Sequence, residues 1–147
     1  MKQEILNTLE TKIALFKHLG IHFVEMSSAK IHIKADLEKN LNHKGTAFGG
    51  SLYTAAVLSA YALVLTGLRT RKIATENIVI AKGSIDYLRP VEDDFEVICQ
   101  FSTPEEENQF YADLLQKGRA RKLLIAQIRS SGGSLRATFS GDFVVRL

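Results

Sequence analysis

Residues 45–68, GTAFGGSLYTAAVLSAYALVLTGL, form an uncharged stretch between Lys44 and Arg69. A stretch of this length passes the simplest test for a membrane-spanning helix. Its composition argues against a span, because the densely apolar part, Ala55 to Leu65, is only about two-thirds of the length needed to cross. A helix this apolar in a soluble protein is buried on nearly all sides. We therefore predict a buried central helix from about Gly50 to Leu68 and no membrane partner.

Strand patterns surround this helix. Apolar residues alternate with polar ones in several segments, which indicates strands with one buried face. The Gly132-Gly133 pair predicts a tight turn between the last two strands. The predicted strands cover residues 21–26, 31–37, 77–88, 95–101, 119–129 and 135–146.

Two further helices are predicted. Residues 4–17 place apolar side chains at three- and four-residue spacing, which is typical of an amphipathic helix, and Gly20 suits its end. The run Thr103-Pro104-Glu105-Glu106 combines a capping threonine, proline at the first helical position and glutamate three residues after the cap. Gly118 then suits the end of this second helix.

The order of elements predicts one α+β domain over residues 1–147. No second crossover helix of comparable length is present, so a doubly wound parallel sheet does not fit. An antiparallel β-sheet wrapped around one long central helix fits better, because the sheet would then cover a helix that is apolar all round.

Composition limits the functions that the chain can have. There are 19 Lys+Arg residues against 16 Asp+Glu residues, and a net charge of +3 is too small and scattered to predict nucleic acid as a partner. Cys99 is the only cysteine and lies in an alternating apolar run, so we predict a buried thiol, no disulfide framework and no metal site. The polar start MKQEILNTLETK lacks the apolar core of a signal peptide, and a cytoplasmic location is expected.

Particular motifs resemble those of a known family. The stretch GTAFGGSL at the helix start and SIDYLRPV in the next strand are similar to hotdog-fold proteins. The closer resemblance is to the thioesterase domain at the C-terminus of YiiD-type proteins, and it runs from about Phe16 to the end of the chain. More distantly, Asn42-x-x-Gly45-x-x-Phe48-Gly49-Gly50 resembles acyl-CoA thioesterases of the phenylacetyl-CoA type. Those relatives commonly have histidine at the position of Phe48 and a carboxylate near Val57, and this sequence has neither.

The resemblance implies a hotdog fold that hydrolyses an acyl thioester on coenzyme A or acyl carrier protein. Coenzyme A would be part of the substrate, and no other cofactor is implied. Hotdog domains commonly pair through their sheets, so a homodimer or a dimer of dimers is expected. Two alternatives remain open: an acyl-CoA-binding protein without catalysis, which the missing carboxylate favours, and a hotdog dehydratase, which would need an acid beside a histidine.

The Gly49-Gly50 pair at the predicted helix start has a chemical use of its own. First-turn N–H groups lack intrahelical partners and lie at the positive end of the helix dipole. Because glycine has no side chain, a thioester carbonyl could approach these donors, which would stabilise the negative charge that develops on its oxygen. The alternative is a turn that needs glycine for its backbone angles alone. A phosphate loop is excluded, because the G-x-x-x-x-G-K-[ST] pattern and a βαβ unit are absent.

Several side chains are candidates for the same site. Asn42 would orient the attacking water, or alternatively stabilise its own loop. His43 would act as the base, or alternatively be an exposed loop histidine. Gly50 would hold the carbonyl oxygen, and Ser59 is kept as a further catalytic candidate, although it would also serve as a small packing residue. The predicted substrate-binding residues are Phe48, Gly49, Ser51, Tyr53, Tyr61 and Lys82.

Overall fold

The central helix α2 spans Gly49–Thr70 in the computed structural model, which describes all 147 residues, Met1–Leu147. Every residue from Ala62 to Leu68 is buried, which confirms the prediction of a helix enclosed by the rest of the fold. The helix is long and apolar enough to cross a membrane, but 72% of its most apolar window is buried inside the protein. Its apolar character therefore follows from the sheet that packs around it.

All six strands form one antiparallel sheet. The order across the sheet is β1-β2-β4-β5-β6-β3, which leaves β1 and β3 at the two edges. This arrangement confirms the predicted α+β class with an antiparallel sheet around one helix. The strands are β1 (Ile21–Met26), β2 (Lys30–Ala35), β3 (Ile78–Tyr87), β4 (Phe95–Gln100), β5 (Arg119–Ser130) and β6 (Leu135–Arg146).

The first helix is shorter than predicted. Helix α1 spans Lys2–Lys12 and not 4–17, and a short 3₁₀ turn at Phe16–His18 follows it. Ile13 leaves the helix with an extended backbone, at φ −118° and ψ 96°. The apolar spacing continued across the break because the 3₁₀ turn returns Phe16 to the core, where it is buried.

Helix α3 (Pro104–Lys117) follows its predicted capping signals. The Thr103 hydroxyl oxygen accepts a hydrogen bond from the Glu106 N–H at 3.1 Å, and Pro104 occupies the first turn. Gly118 ends the helix with a left-handed backbone at φ 74°, which glycine adopts without strain. The buried side chains of α3 are Glu107, Phe110, Tyr111 and Leu114.

Strand β3 pairs only with β6, and a bulge between Ile80 and Lys82 shifts its register. A side chain at Gly83 would collide with the Tyr53 hydroxyl of α2, so this position faces the helix. Alternation then places Lys82, which pairs with Asp142, on the outward face of the sheet. Gly83 thus marks a close approach of β3 to α2, and the bulge lies just before it.

Candidate active site at the start of the central helix

The loop before α2 is held by the side chain of Asn42. The Asn42 Oδ1 atom accepts hydrogen bonds from the Lys44 N–H at 2.9 Å and the Thr46 N–H at 3.1 Å. Its Nδ2 atom donates to Thr46 Oγ1 at 2.8 Å. Gly45 makes the turn between them with a positive φ of 78°. The structure therefore gives Asn42 the loop-stabilising role that the sequence left open.

The first turn of α2 presents free hydrogen-bond donors. The Phe48 carbonyl accepts bonds from the Ser51 N–H at 2.9 Å and the Leu52 N–H at 3.2 Å. The N–H groups of Gly49 and Gly50 have no partner within the chain. They lie at the positive end of a 22-residue helix, where an oxygen that gains negative charge is stabilised.

The two glycines are required because a Cβ atom would be crowded at these positions, and not because of their backbone angles. Neither Gly49 nor Gly50 has a positive φ, so another residue could adopt either backbone conformation. A Cβ atom at Gly49 would lie 3.2 Å from the Tyr87 hydroxyl oxygen, and one at Gly50 would lie 2.7 Å from Cε2 of the Phe48 ring. Phe48 is 57% exposed, and its ring lies against Gly50 at this end of the helix. The alternative of a turn that needs glycine for its angles does not apply to this pair.

A cavity of about 400 Å³ lies beside this helix start. Its deepest side chains are apolar, since Ala47, Leu52 and Val91 are all buried. The polar groups that line it include those of Thr46 and Arg89. The cavity thus combines an apolar base, a few polar groups and adjacent backbone donors, which is typical of a site for a small ligand.

Two hydrogen bonds join the walls of this cavity. The Tyr87 hydroxyl donates to the Gly49 carbonyl at 2.8 Å, and the Ala47 N–H donates to the Val91 carbonyl at 2.8 Å. Partial burial raises the pKa of the Tyr87 hydroxyl, with a smaller contribution from the charge of Tyr53. Tyr87 therefore keeps its proton near neutral pH and stays a donor to Gly49.

Arg136 supports the wall formed by residues 88–91. Its Nη1 atom donates to the Pro90 carbonyl at 3.0 Å. Its backbone carbonyl accepts bonds from the Leu88 N–H at 2.8 Å and the Arg89 N–H at 3.1 Å. These contacts fix the corner that follows β3, so the position of Arg89 at the cavity depends on Arg136.

Some predicted site residues do not reach this place. Ser59 is fully buried, and its hydroxyl donates to the Ala55 carbonyl at 2.8 Å, so it serves the core. Tyr61 lies three turns along α2, and burial, followed by the charge of Glu76, raises the pKa of its hydroxyl. Lys82 stands on the outward face of the sheet, away from α2. We leave these three side chains out of the candidate site.

Other predicted residues lie in the loop before α2 or in the first two turns of the helix. His43 is exposed in the loop, and its imidazole forms no hydrogen bond within the chain. Ser51 is in the first turn of α2, where its N–H donates to Phe48. Tyr53 lies one turn further along, with its ring edge-on to Phe139 at 5.3 Å between centroids. The structure therefore brings together Phe48, Gly49, Gly50, Ser51 and, one turn away, Tyr53, whereas Asn42 and His43 lie in the loop that precedes them.

The sequence interpretation missed Tyr87 as a residue of the candidate site. Tyr87 belongs to SIDYLRPV, a stretch that had served as a mark of the resemblance. The alternation of β3 was the available signal, since it places Tyr87 on the helix-facing side, as it does Gly83. No three His, Cys, Asp or Glu side chains come together as metal ligands.

Comparison with known families matches almost the whole chain. Residues 2–147 match the family model described as "Putative thioesterase (yiiD_Cterm)". No curated protein matches the sequence.

Solved structures share the fold over nearly their full length. A protein of unknown function from Chlorobaculum tepidum TLS is 27% identical, with a TM-score of 0.90, coverage of 98% of this chain and 93% of the other. A protein from Shewanella oneidensis described as a putative thioesterase is 26% identical, with a TM-score of 0.85 and coverage of 99% and 96%. A third, from Pseudomonas aeruginosa and described as a probable thioesterase, is 21% identical, with a TM-score of 0.83 and coverage of 99% and 95%. The fold of the chain is thus the hotdog fold of these proteins.

Proposed function

The chain belongs to the thioesterase family whose model it matches, and we propose that it hydrolyses an acyl thioester carried by coenzyme A or acyl carrier protein. The observation that carries this proposal is the pair of free N–H groups at Gly49 and Gly50 beside an apolar cavity. Hydrolysis of a thioester needs a donor set at the place where the carbonyl oxygen becomes negative.

In the proposed reaction the thioester carbonyl oxygen accepts a hydrogen bond from the Gly50 N–H. A water molecule attacks the carbonyl carbon and loses a proton to a base, for which His43 is the nearest imidazole along the chain. The tetrahedral intermediate carries its negative charge at the start of α2. It collapses with cleavage of the carbon–sulfur bond, and the thiolate takes a proton as it leaves as free thiol. The second product is the carboxylate, and the reaction needs no metal or redox cofactor.

The cavity beside α2 is the proposed place for part of the substrate. Phe48 and Tyr53 flank the donors and offer aromatic surface to an acyl chain. Arg89 lines the same cavity, and a guanidinium suits an anionic group of the carrier.

We also propose that the protein acts as a homodimer, alone or within a dimer of dimers. Strand β3 is an edge strand, so one side of its backbone has no partner within the chain. Val79 and Tyr87 on this strand are 53% and 52% exposed. An exposed edge of ten residues is a template for pairing with a second copy. Light scattering coupled to size exclusion measures the mass, and a monomer at micromolar concentration would contradict this part of the proposal.

A second candidate function is binding of an acyl thioester without turnover. Two observations favour it: α2 carries no carboxylate, and the Asn42 amide is engaged in its own loop. A panel of acyl-CoA esters of increasing chain length, with free thiol measured over time, separates the two functions. Thiol release on any member supports hydrolysis. If no member is cleaved and a non-hydrolysable thioether analogue still binds, the chain is a binding protein.

The role of His43 has its own test. His43→Ala removes the proposed base from an exposed position, so the fold and its stability should not change. Turnover should fall by about 100-fold, within the usual range for removal of a general base. Unchanged turnover would remove His43 from the mechanism and leave the backbone donors in place.

A further inference from the structure

A second cavity lies on the outward face of the sheet, at the end where β3 and β5 begin and β6 finishes. Its volume is about 390 Å³, and it is lined by Asn77, Val79, Ala81, Arg119, Arg121, Val144 and Arg146. The three lining apolar residues form its floor, because Val144 pairs with Val79 on one side and with Arg121 on the other. We propose that this cavity binds a phosphate group through its three arginines.

The charge in this cavity lacks compensation within the chain. Arg119 and Arg146 are directly opposite each other in the β5–β6 ladder, and both are exposed. Like charges in this relation destabilise a sheet. Neither guanidinium forms an ion pair, and only Arg121 has a carboxylate partner, Asp142, at 3.0 Å. An anion in the cavity would offset the repulsion that the protein leaves in place.

The geometry of guanidinium groups suits a phosphate group. Each presents N–H donors in a planar fork that matches two phosphate oxygens, and Arg119 and Arg146 approach from neighbouring strands. The Asn77 amide at the margin adds a neutral donor. No carboxylate lines the cavity itself, and Asp142 beside it is neutralised by its ion pair with Arg121.

The positive charge of the three arginines is confined to one end of the outward face, and this extent fits a small ligand. Acidic side chains interrupt the outward face, with Asp142 on β6, Asp86 on β3 and Glu96 on β4. A polynucleotide or a membrane surface would need an extended basic face. A single phosphate group needs only the arginines at this end.

The cavity is separate from the start of α2. Strand β3 has ten residues, so its first residue lies about 30 Å from Tyr87, at roughly 3.3 Å per residue. A ligand in one cavity therefore does not touch the other cavity of the same chain.

Titration of the intact protein with inorganic phosphate tests the proposal. Calorimetry and thermal unfolding, each compared with sodium chloride at equal ionic strength, should give saturable binding and a rise in Tm for the wild type. Arg119→Gln combined with Arg146→Gln should weaken phosphate binding by at least about tenfold, or about 1.4 kcal/mol, since the charged hydrogen bonds of two guanidinium groups are lost. Without phosphate the same double variant should be as stable as the wild type or more stable, because the repulsion is removed.

Arg129→Gln is the matched control. Arg129 lies on β5 at the other end of the sheet, and its substitution also replaces a guanidinium with a neutral amide. Phosphate binding by this variant should equal that of the wild type. The proposal is overturned if the wild type shows no saturable binding, or if the control and the double variant weaken binding equally.

The source of the phosphate group is resolved by a second series. If the group is the 3′-phosphate of coenzyme A, removal of that phosphate should weaken binding of coenzyme A to the wild type and not to the double variant. If a free phosphate ion is the ligand, coenzyme A should not compete with it. Thioester turnover at the start of α2 is measured in parallel, and its presence or absence leaves this phosphate test unchanged.

Discussion

The substitution Gly50→Ala separates the proposed chemistry from the stability of the fold. In an α-helix the Cα–Cβ bond tilts toward the N-terminus, so the new methyl group would stand beside the free N–H groups. It would also lie 2.7 Å from the present position of the Phe48 ring, which must move. Both effects place carbon atoms where the carbonyl oxygen of a thioester should approach. We expect kcat/KM to fall by about tenfold to hundredfold, or roughly 1.4–2.7 kcal/mol, which is less than complete loss of an oxyanion donor.

Stability should change little in the same variant. Alanine stabilises a helix by up to about 1 kcal/mol over glycine. Displacement of the Phe48 ring costs about 0.5–1.5 kcal/mol if its rotamer is strained, and less if the ring swings into solvent, since it is 57% exposed. The free energy of unfolding should therefore stay within about 1 kcal/mol of the wild type, as measured by urea denaturation.

The matched control is Gly132→Ala in the turn between β5 and β6. A Cβ atom there would lie 3.9 Å from Ser130 Oγ and meet nothing closer, so activity and stability should both match the wild type. Kinetics are measured on the best thioester of the acyl-CoA panel. A Gly50→Ala protein that keeps kcat/KM within twofold of the wild type would refute the role of these donors.

Three further predictions follow from hydrogen bonds and burial. Tyr87→Phe removes the 2.8 Å hydrogen bond to Gly49 and should lower the free energy of unfolding by about 1 kcal/mol. It should raise the activation free energy of the reaction by a similar amount, which is a roughly fivefold loss of kcat/KM in steady-state assays. Asn42→Ala should lower the free energy of unfolding, measured by urea denaturation, by about 1–3 kcal/mol. Asn42→Asp keeps the oxygen that accepts from two loop N–H groups and should retain most of that stability. Equal stability of the two variants would contradict the loop role. Burial raises the pKa of the Cys99 thiol to about 12, above the 9.0 of an exposed thiol, so the thiol loses its proton at lower pH in the unfolded chain than in the folded chain. The free energy of unfolding should therefore fall between pH 9 and pH 12, and Cys99→Ala should not show this loss.

Local signals predicted most elements, because their causes lie within a few residues of each other. The cap at Thr103, proline at the next position and Gly118 fixed both ends of α3, and each occupies its predicted place. Alternation found the strands for the same reason. The first helix was extended too far, since apolar spacing alone cannot distinguish a helix from a helix followed by a 3₁₀ turn that buries the next apolar residue.

The order of strands depends on contacts between distant parts of the chain, and no local pattern gives it. Strand β3 follows α2 directly in sequence, yet it pairs with β6 at the far end of the chain. Alternation along β3, with Gly83 facing α2, turns Lys82 away from the helix and directs Tyr87 to Gly49. The misplaced Lys82 and the overlooked Tyr87 therefore have the same origin.

Burial explains why the Ser59 side chain is not available at the candidate site, whereas the first-turn backbone N–H groups are. Ser59 was selected for its hydroxyl, but a hydroxyl in the middle of a buried helix can satisfy itself by donating to the carbonyl four residues back, as Ser59 does. A first-turn N–H has no such partner anywhere in the helix. The start of a long helix therefore predicts a chemical property from sequence alone, whereas a hydroxyl within it does not.

The less buried face of α2 shows which group the proposed reaction still needs, namely a proton acceptor. Gly50, Tyr53, Val57 and Tyr61 are the less buried positions along one side of the helix, at three- and four-residue spacing. This face begins at the free donors and contains no carboxylate, because valine occupies the place where the resemblance expects one. The helix thus supplies stabilisation for the oxyanion but no proton acceptor. The proposed hydrolysis therefore depends on a base from outside α2, and the kinetics of His43→Ala test whether the imidazole of His43 is that base.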